Sequence, residues 1–159
     1  MATLLEESVV AEETRAGAFQ VRIHTGNHSF LMDEPVAYGG LDTGPSPFDL
    51  LSAALSACTL MTMKLYAQRK GWAIEPLSVR VSHHKGTGGR DRFDRVIELD
   101  DVTDEQRAGL LNIAGRCPVH QLFEQGAEVT VSVAQAALAE PVADCLHAQE
   151  IEELCRDAA

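Results

Sequence analysis

A single domain of mixed strands and helices is the fold class this sequence predicts, and three observations predict it. The length of 159 residues suits one domain with a real core. Phe19, Val21 and Ile23 alternate with polar residues, which is the period of a half-buried strand. A long segment opening at Ser46 repeats its apolar residues at helical spacing instead. Only 5% of residues are aromatic, so the core has to rest on Leu, Val, Ile, Ala and Met.

Residues 1–17 read as a polar lead-in. After the first strand, Gly26-Asn27 supplies turn residues that tolerate positive φ, and Ser29 to Met32 returns. Residues 33–45 form a loop rich in Gly and Pro. Ser46 then caps a helix, Pro47 suits its first position, and Asp49 stands where a capping box places an acid. Apolar residues recur at Leu51, Ala54, Leu55, Cys58, Met61 and Leu65, and Gly71 ends the helix. About 24 residues at 1.5 Å each span roughly 36 Å, so this helix must run through the centre of so small a domain. Ala53, Ala54, Ser56 and Ala57 make its middle thin enough for another backbone to approach closely.

Leu77–His84 and Phe93–Leu99 read as two strands joined by a Gly-rich loop. Thr103 with Gln106 opens a second helix that Gly115 closes, and Cys117-Pro118 begins a third through Glu124. Residues 127–133 alternate as a last strand. The tail, 134–159, is rich in Ala and Glu, with a thin apolar stripe of Leu146, Ile151 and Leu154. It is expected to be one marginal helix or a disordered appendage. The organisation is thus lead-in 1–17, domain 18–133 and acidic tail 134–159.

The net charge of −11 sits at the ends, with −3 in residues 1–15 and −5 in residues 134–159. Acidic ends repel nucleic acid, and the bases between Lys64 and Arg95 form no tract interleaved with aromatics, so no nucleic-acid partner is expected. The apolar stretches are expected to fall short of a membrane span, and the acidic N-terminus is no signal peptide. A cytoplasmic location without a membrane partner is the expectation.

Four cysteines in a reducing compartment, with no Cys-x-x-Cys, argue against a disulfide framework and against a structural zinc site. No cofactor is expected. Cys145 and Cys155, about 15 Å apart if helical, could not pair with each other. Cys145, His147 and Cys155 as a metal or redox-sensing group is a weaker reading than inert tail thiols. His83 and His84 are neighbours on a strand and point to opposite faces, so they read as a solvated strand end.

Cys58 and Cys117 carry the chemistry, if any thiol does. On an apolar helix face Cys58 packs as a small hydrophobe, and it needs a cation or donor nearby to ionise. At a helix start the Cys117 sulfur meets unpaired amides and the positive end of the dipole, with Arg116 adjacent and His120 one turn on. Its plain reading is a cap whose sulfur does nothing. Asp49 either finishes the cap or orients an arginine at the helix mouth, because nine positions put it on the opposite side of the helix from Cys58.

The run from Gly39 through Gly44-Pro-Ser-Pro-Phe-Asp-Leu-Leu-Ser-Ala-Ala-Leu-Ser-Ala-Cys58 to Trp72 resembles the OsmC/Ohr family. So do Arg116-Cys-Pro-Val-His120 and Asp33-Glu-Pro, with strand order agreeing over residues 18–133. The resemblance implies an α+β, OsmC-like fold and an intertwined homodimer, with curved antiparallel sheets wrapped around long central helices and sites at the subunit interface. It implies a cysteine-based peroxidase of oxidative-stress defence that reduces organic hydroperoxides, with hydrogen peroxide left open. Cys58 would attack the peroxide and become a sulfenic acid, Cys117 would resolve it to a disulfide, and a small dithiol or lipoyl-type reductant would regenerate the pair. The peroxidase branch has a glutamate ten residues before the attacking cysteine, where this chain has Phe48 followed by Asp49. Arg15 is then the activating arginine with Asp49, and Arg22 its competitor. The alternative is a non-catalytic dimer that binds a small apolar ligand at its interface pocket.

Overall fold

The computed structural model describes residues 8–75, 77–134 and 146–158. The described residues fall into two compact units, 8–50 with 129–134 and 146, and 51–75 and 77–128 with 147–158.

The first unit holds a three-stranded antiparallel sheet in the order β1-β2-β3, formed by Val9–Glu13, Val21–Thr25 and His28–Met32. The β2–β3 hairpin turns at Gly26, whose φ is 52°, as the Gly-Asn pair predicts. β1 lies inside the segment expected to be a lead-in. Its residues are mostly exposed, so a full backbone ladder from Val9↔Thr25 to Glu13↔Val21 makes it a strand, without an apolar face that sequence could reveal.

Asp33, only 2% exposed, organises the loop that follows. Its carboxylate accepts the amides of Glu34, Leu41 and Thr43 and the Thr43 hydroxyl, at 2.8 to 3.4 Å. At Gly44 a Cβ would stand 2.1 Å from the Leu31 carbonyl oxygen, so this close approach admits only glycine.

Helix α1, Pro47–Arg69, starts as its sequence requires. The Asp49 carboxylate accepts the Ser46 amide at 3.0 Å and the Ser46 hydroxyl at 2.7 Å, and the Asp49 amide points back to that hydroxyl at 3.3 Å. Trp72 bonds back to the Ala67 carbonyl past Gly71, which has a φ of 68°. The expected apolar stripe is only half right. Leu55 and Cys58 are buried with Thr59, Thr62, Met63, Tyr66 and Ala67, whereas Leu51 and Met61 are 41% and 52% exposed. Thr59 and Thr62 can be buried because their hydroxyls donate to the Leu55 and Cys58 carbonyls, each at 2.7 Å. The expectation that apolar stretches fall short of a membrane span also needs correction. Being apolar on both sides, α1 reaches a mean hydropathy of 1.4 over 18 residues, enough to cross a membrane by length and composition, while 39% of that window is buried in protein.

The second unit pairs β4, Leu77–His84, with β5, Arg92–Leu99, in an antiparallel hairpin of strict alternation in β4. Helix α2, Asp104–Ala114, opens on the complete Thr103–Gln106 capping box. Helix α3 is Pro118–Gln125, with Cys117 as its N-cap. Residues 127–133, expected to be a last strand, have no ladder partner among the described residues, and Val129, Val131 and Val133 are 84 to 94% exposed.

The tail is not a loose appendage throughout. Helix α4, Leu146–Asp157, buries Ile151 and Cys155, and Cys155 joins Met63, Tyr66, Leu110 and Ile113 in one core cluster. The Cys155 thiol faces the Thr62 carbonyl at 3.7 Å, and Arg69 pairs with the Glu152 carboxylate. The 12-residue helix is too short to hold by itself, so this docking is what keeps it folded.

Candidate active site

Two of the predicted residues meet in the second unit. Cys58, from the middle of α1, and Cys117, from the start of α3, are 2% and 0% exposed and share one cluster with Leu55. Val81, Phe93, Val119 and Phe123 close round them, and Phe93 packs on Phe123 with ring centroids 4.9 Å apart. Helical spacing turns Cys58 inward with Leu55 and Thr62, and Pro118 fixes the turn that sets Cys117 at the N-cap.

The donors are shared between the sulfurs. The amide of Val119, second residue of α3, donates to Cys58 Sγ at 3.4 Å. The Cys117 sulfur faces the His120 amide too loosely for a cap hydrogen bond. That sulfur lies 3.6 Å from the Thr59 hydroxyl and 3.8 Å from Arg95 Nη1. Arg95 Nη1 also donates to that hydroxyl at 2.8 Å.

Hydrogen bonding from Cys58 draws the Cys117 thiol down to about 5, against the opposing effect of burial, with Thr59, the His120 amide and the Arg95 charge helping. The same interaction with Cys117, together with burial, pushes the Cys58 thiol up despite the Val119 amide. The two thiols titrate as a pair, and the local groups favour Cys117 over Cys58 as the one that ionises first. A thiolate beside a thiol can attack an electrophile or take a proton, and two sulfurs in one buried cluster are candidates to join as a disulfide.

Of the other predicted residues, Asp49 is taken up by the α1 cap, which also holds its carboxyl below the ordinary value, chiefly through the Ser46 hydroxyl. Arg15 sits in the β1–β2 connection with a φ of 62°, and Arg22 pairs with Glu12 across the ladder, both in the first unit. Arg116 is exposed, and His120 pairs with Glu124 at 3.3 Å.

Arg95 and Thr59 were not anticipated. The signal was present for Arg95, because a charge interrupts the inward row Phe93, Arg95, Ile97 and Leu99. A half-buried cation at such a slot asks for a partner. His83 and His84 do face apart, His83 stacking on Phe93 and pairing with Asp91, His84 pairing with Asp94. Among the described residues no cluster of His, Cys, Asp and Glu could hold a metal. Cys145 lies outside the described residues, and burial raises the Cys155 thiol.

One protein family, OsmC-like protein, matches residues 40–132 by its sequence profile. A protein of Psychrobacter arcticus named for osmotic-stress induction and detoxification response superimposes with a TM-score of 0.64 at 19% identity, over 76% of this chain and 90% of its own. An OsmC-like protein of Mycoplasma pneumoniae gives 0.59 at 19%, over 78% and 89%. The organic hydroperoxide resistance protein OhrB of Bacillus subtilis gives 0.52 at 24%, over 75% and 90%. Comparison with curated proteins returned no match. Identities this low speak for the fold alone, while the profile spans more than half of the sequence. Helices with small antiparallel sheets are the fold shared with these structures, and by the profile match this chain belongs to the OsmC-like family.

Proposed function

We propose that this protein is a thiol peroxidase that reduces organic hydroperoxides, working as a homodimer. The observation that carries the reading is the shared buried cluster of Cys58 and Cys117, with Arg95 and Thr59 on one sulfur and the Val119 amide on the other. Cys58 sulfur attacks the O–O bond, forms an S–O bond and releases the alcohol, leaving a sulfenic acid. Cys117 thiolate then displaces hydroxide to form the disulfide, and the hydroxide leaves as water. Two thiols and one peroxide thus give one alcohol, one water and one disulfide. A small dithiol or lipoyl-type carrier takes up the oxidation, returning both thiols.

The dimer is supported by what the chain leaves uncovered. Leu51, Ala54 and Met61 expose one side of α1, and Val129, Val131 and Val133 align on one face of an unladdered segment. A second copy would bury both. Arg15 and Asp49 keep a role in this reading only if dimer assembly brings them to the sulfurs.

The test is peroxide consumption by the reduced protein. One equivalent of cumene hydroperoxide should be consumed per two thiols lost, with a Cys58–Cys117 disulfide in the peptide map. Cys58→Ser should abolish turnover, and Cys117→Ser should leave a sulfenic acid that dimedone labels. An unchanged thiol titre sinks the reading. The near-complete burial of both sulfurs favours the second one, a dimer that binds a small apolar ligand without chemistry. A ligand-dependent rise in melting temperature with intact thiols would establish it.

A further inference from the structure

The groups around Cys117 are unequal in a way the two-cysteine scheme does not use. From β5, Arg95 Nη1 reaches both the Thr59 hydroxyl, at 2.8 Å, and Cys117 Sγ, at 3.8 Å. From α1, the Thr59 hydroxyl stands 3.6 Å from the same sulfur. This hydroxyl has one hydrogen and two acceptors in reach, the Leu55 carbonyl at 2.7 Å and Cys117 Sγ. Arg95 occupies the accepting side of the oxygen, so the hydrogen is free to turn from the carbonyl to an ionised sulfur. Cys58 is supported by the Val119 amide and, more weakly, by the Thr62 hydroxyl.

We propose that Arg95 is the positioning residue of the pair. Bridging Thr59 and Cys117, it keeps the shared negative charge on Cys117 and so makes Cys117 the base that receives the Cys58 proton as Cys58 attacks. This deepens the peroxidase reading and rests on it for the attack step. The step balances as follows. Cys58 S–H passes its proton to the Cys117 thiolate while its sulfur electron pair opens the O–O bond. The departing alkoxide takes that proton back from Cys117 and leaves as the alcohol. Cys117 is thereby a thiolate again at the moment when the sulfenic acid must be resolved. One residue would serve twice, as base for the first step and nucleophile for the second.

The surroundings offer no better base. His83 on β4 stacks on Phe93 and is held by Asp91 at 2.8 Å. His120 on α3 pairs with Glu124, and Asp94 on β5 pairs with His84 and Arg92. Arg116, next in sequence, is exposed. The remaining neighbours, Val81, Phe93, Val119 and Phe123, are apolar and strengthen the Arg95 charge by excluding water.

The experiment titrates the reduced protein by thiolate absorbance near 240 nm, without peroxide, and maps alkylation by mass spectrometry. Wild type should gain one thiolate on the acid side of neutrality, with iodoacetamide modifying Cys117 first. Arg95→Met keeps the bulk and removes the charge, and it should raise that midpoint by about one pH unit or more, the size of an opposite-charge effect. Arg95→Lys should restore part of the shift, and Thr59→Val should reproduce part of the loss. The acid limb of the single-turnover peroxide rate should move with the midpoint. If Arg95→Met fails to fold, Arg95→Lys and Thr59→Val still decide. A midpoint indifferent to all three, or early alkylation at Cys58, overturns the assignment to Arg95. A wild type that titrates as expected but leaves peroxide untouched overturns the peroxidase reading, and with it the proton-transfer step, while the Arg95 effect on charge stands.

Discussion

The Val119 amide donates to Cys58 Sγ at 3.4 Å, so the helix capped by Cys117 aims its first N–H at the other cysteine, Pro118 having none. The first turn of α3 is therefore a common support for both sulfurs. A negative charge developing on Cys58 during attack, or an oxygen added to it, meets a donor already in place.

The Cys58–Cys117 disulfide should stabilise the fold. It would close a loop spanning the β4–β5 hairpin and α2, and loop-closure entropy for a loop of about 60 residues is worth about 4 kcal/mol at most. Loss of the thiolate's hydrogen bonds offsets part of it. Urea unfolding of the oxidised protein should show a higher midpoint than that of the reduced one. The difference should vanish in Cys58→Ser, and an oxidised form no more stable than the reduced one would speak against a disulfide inside this core.

Stability should also follow pH through the same pair. The Cys117 thiol is lowered from 9.0 to about 5, so between these values the folded chain binds fewer protons than the unfolded one. Its contribution is complete above the unfolded value and is lost as pH falls toward 5. Cys58 is raised, so above about pH 9 the unfolded chain releases a proton that the folded chain keeps, and stability falls. Measured against Cys117→Ser to cancel the carboxylates, the stability advantage of wild type should grow from pH 5 to pH 9. A difference independent of pH in that window would mean that Cys117 is an ordinary neutral thiol.

Asp49 separates capping from catalysis. Its carboxylate is occupied by Ser46, so Ser46→Ala should cost about 1 kcal/mol through the lost cap. Asp49→Asn should also weaken the cap while leaving the Cys117 titration where it was. If Asp49→Asn instead slows peroxide consumption with the fold and the titration intact, assembly has carried Asp49 to the site, as the family resemblance implied.

What was legible in the sequence was what neighbours in the chain decide. Ser46 with Asp49, Thr103 with Gln106, Gly26-Asn27 and Cys117-Pro118 each fix their own turn or cap, and each appears where expected. The meeting of Cys58 with Cys117 was reached through resemblance, since no local rule joins residues so far apart. Arg95 was missed because strand alternation was read for its apolar members, and the charged member of the inward row was passed over. Thr59 and Thr62 were missed because a hydroxyl that repays its own helix carbonyl can be buried like a valine. β1 and α4 were underread for one reason. Their partners, β2 for one and the α1–α2 core for the other, make them ordered, and neither carries a strong pattern of its own.

The exposed side of α1 supplies the last prediction. Leu51, Ala54 and Met61 recur at three and seven residues and share a face, and the first half of the helix carries small residues at Ala53 and Ala57. The two core clusters take Leu55, Cys58, Met63, Tyr66 and Ala67 of this helix, so the side that carries Ala54 and Met61 is left to meet a copy of itself about a twofold axis. Close packing of such faces tolerates neither bulk nor charge. Ala54→Glu and Met61→Asp, both at exposed positions, should therefore leave the circular dichroism of the chain unchanged and shift sedimentation from dimer to monomer. Lys64→Ala, further along the same helix, is the control that should keep the dimer. If the two acidic variants sediment like wild type, the homodimer, should it form, uses another surface, and the long helix is central to one chain only.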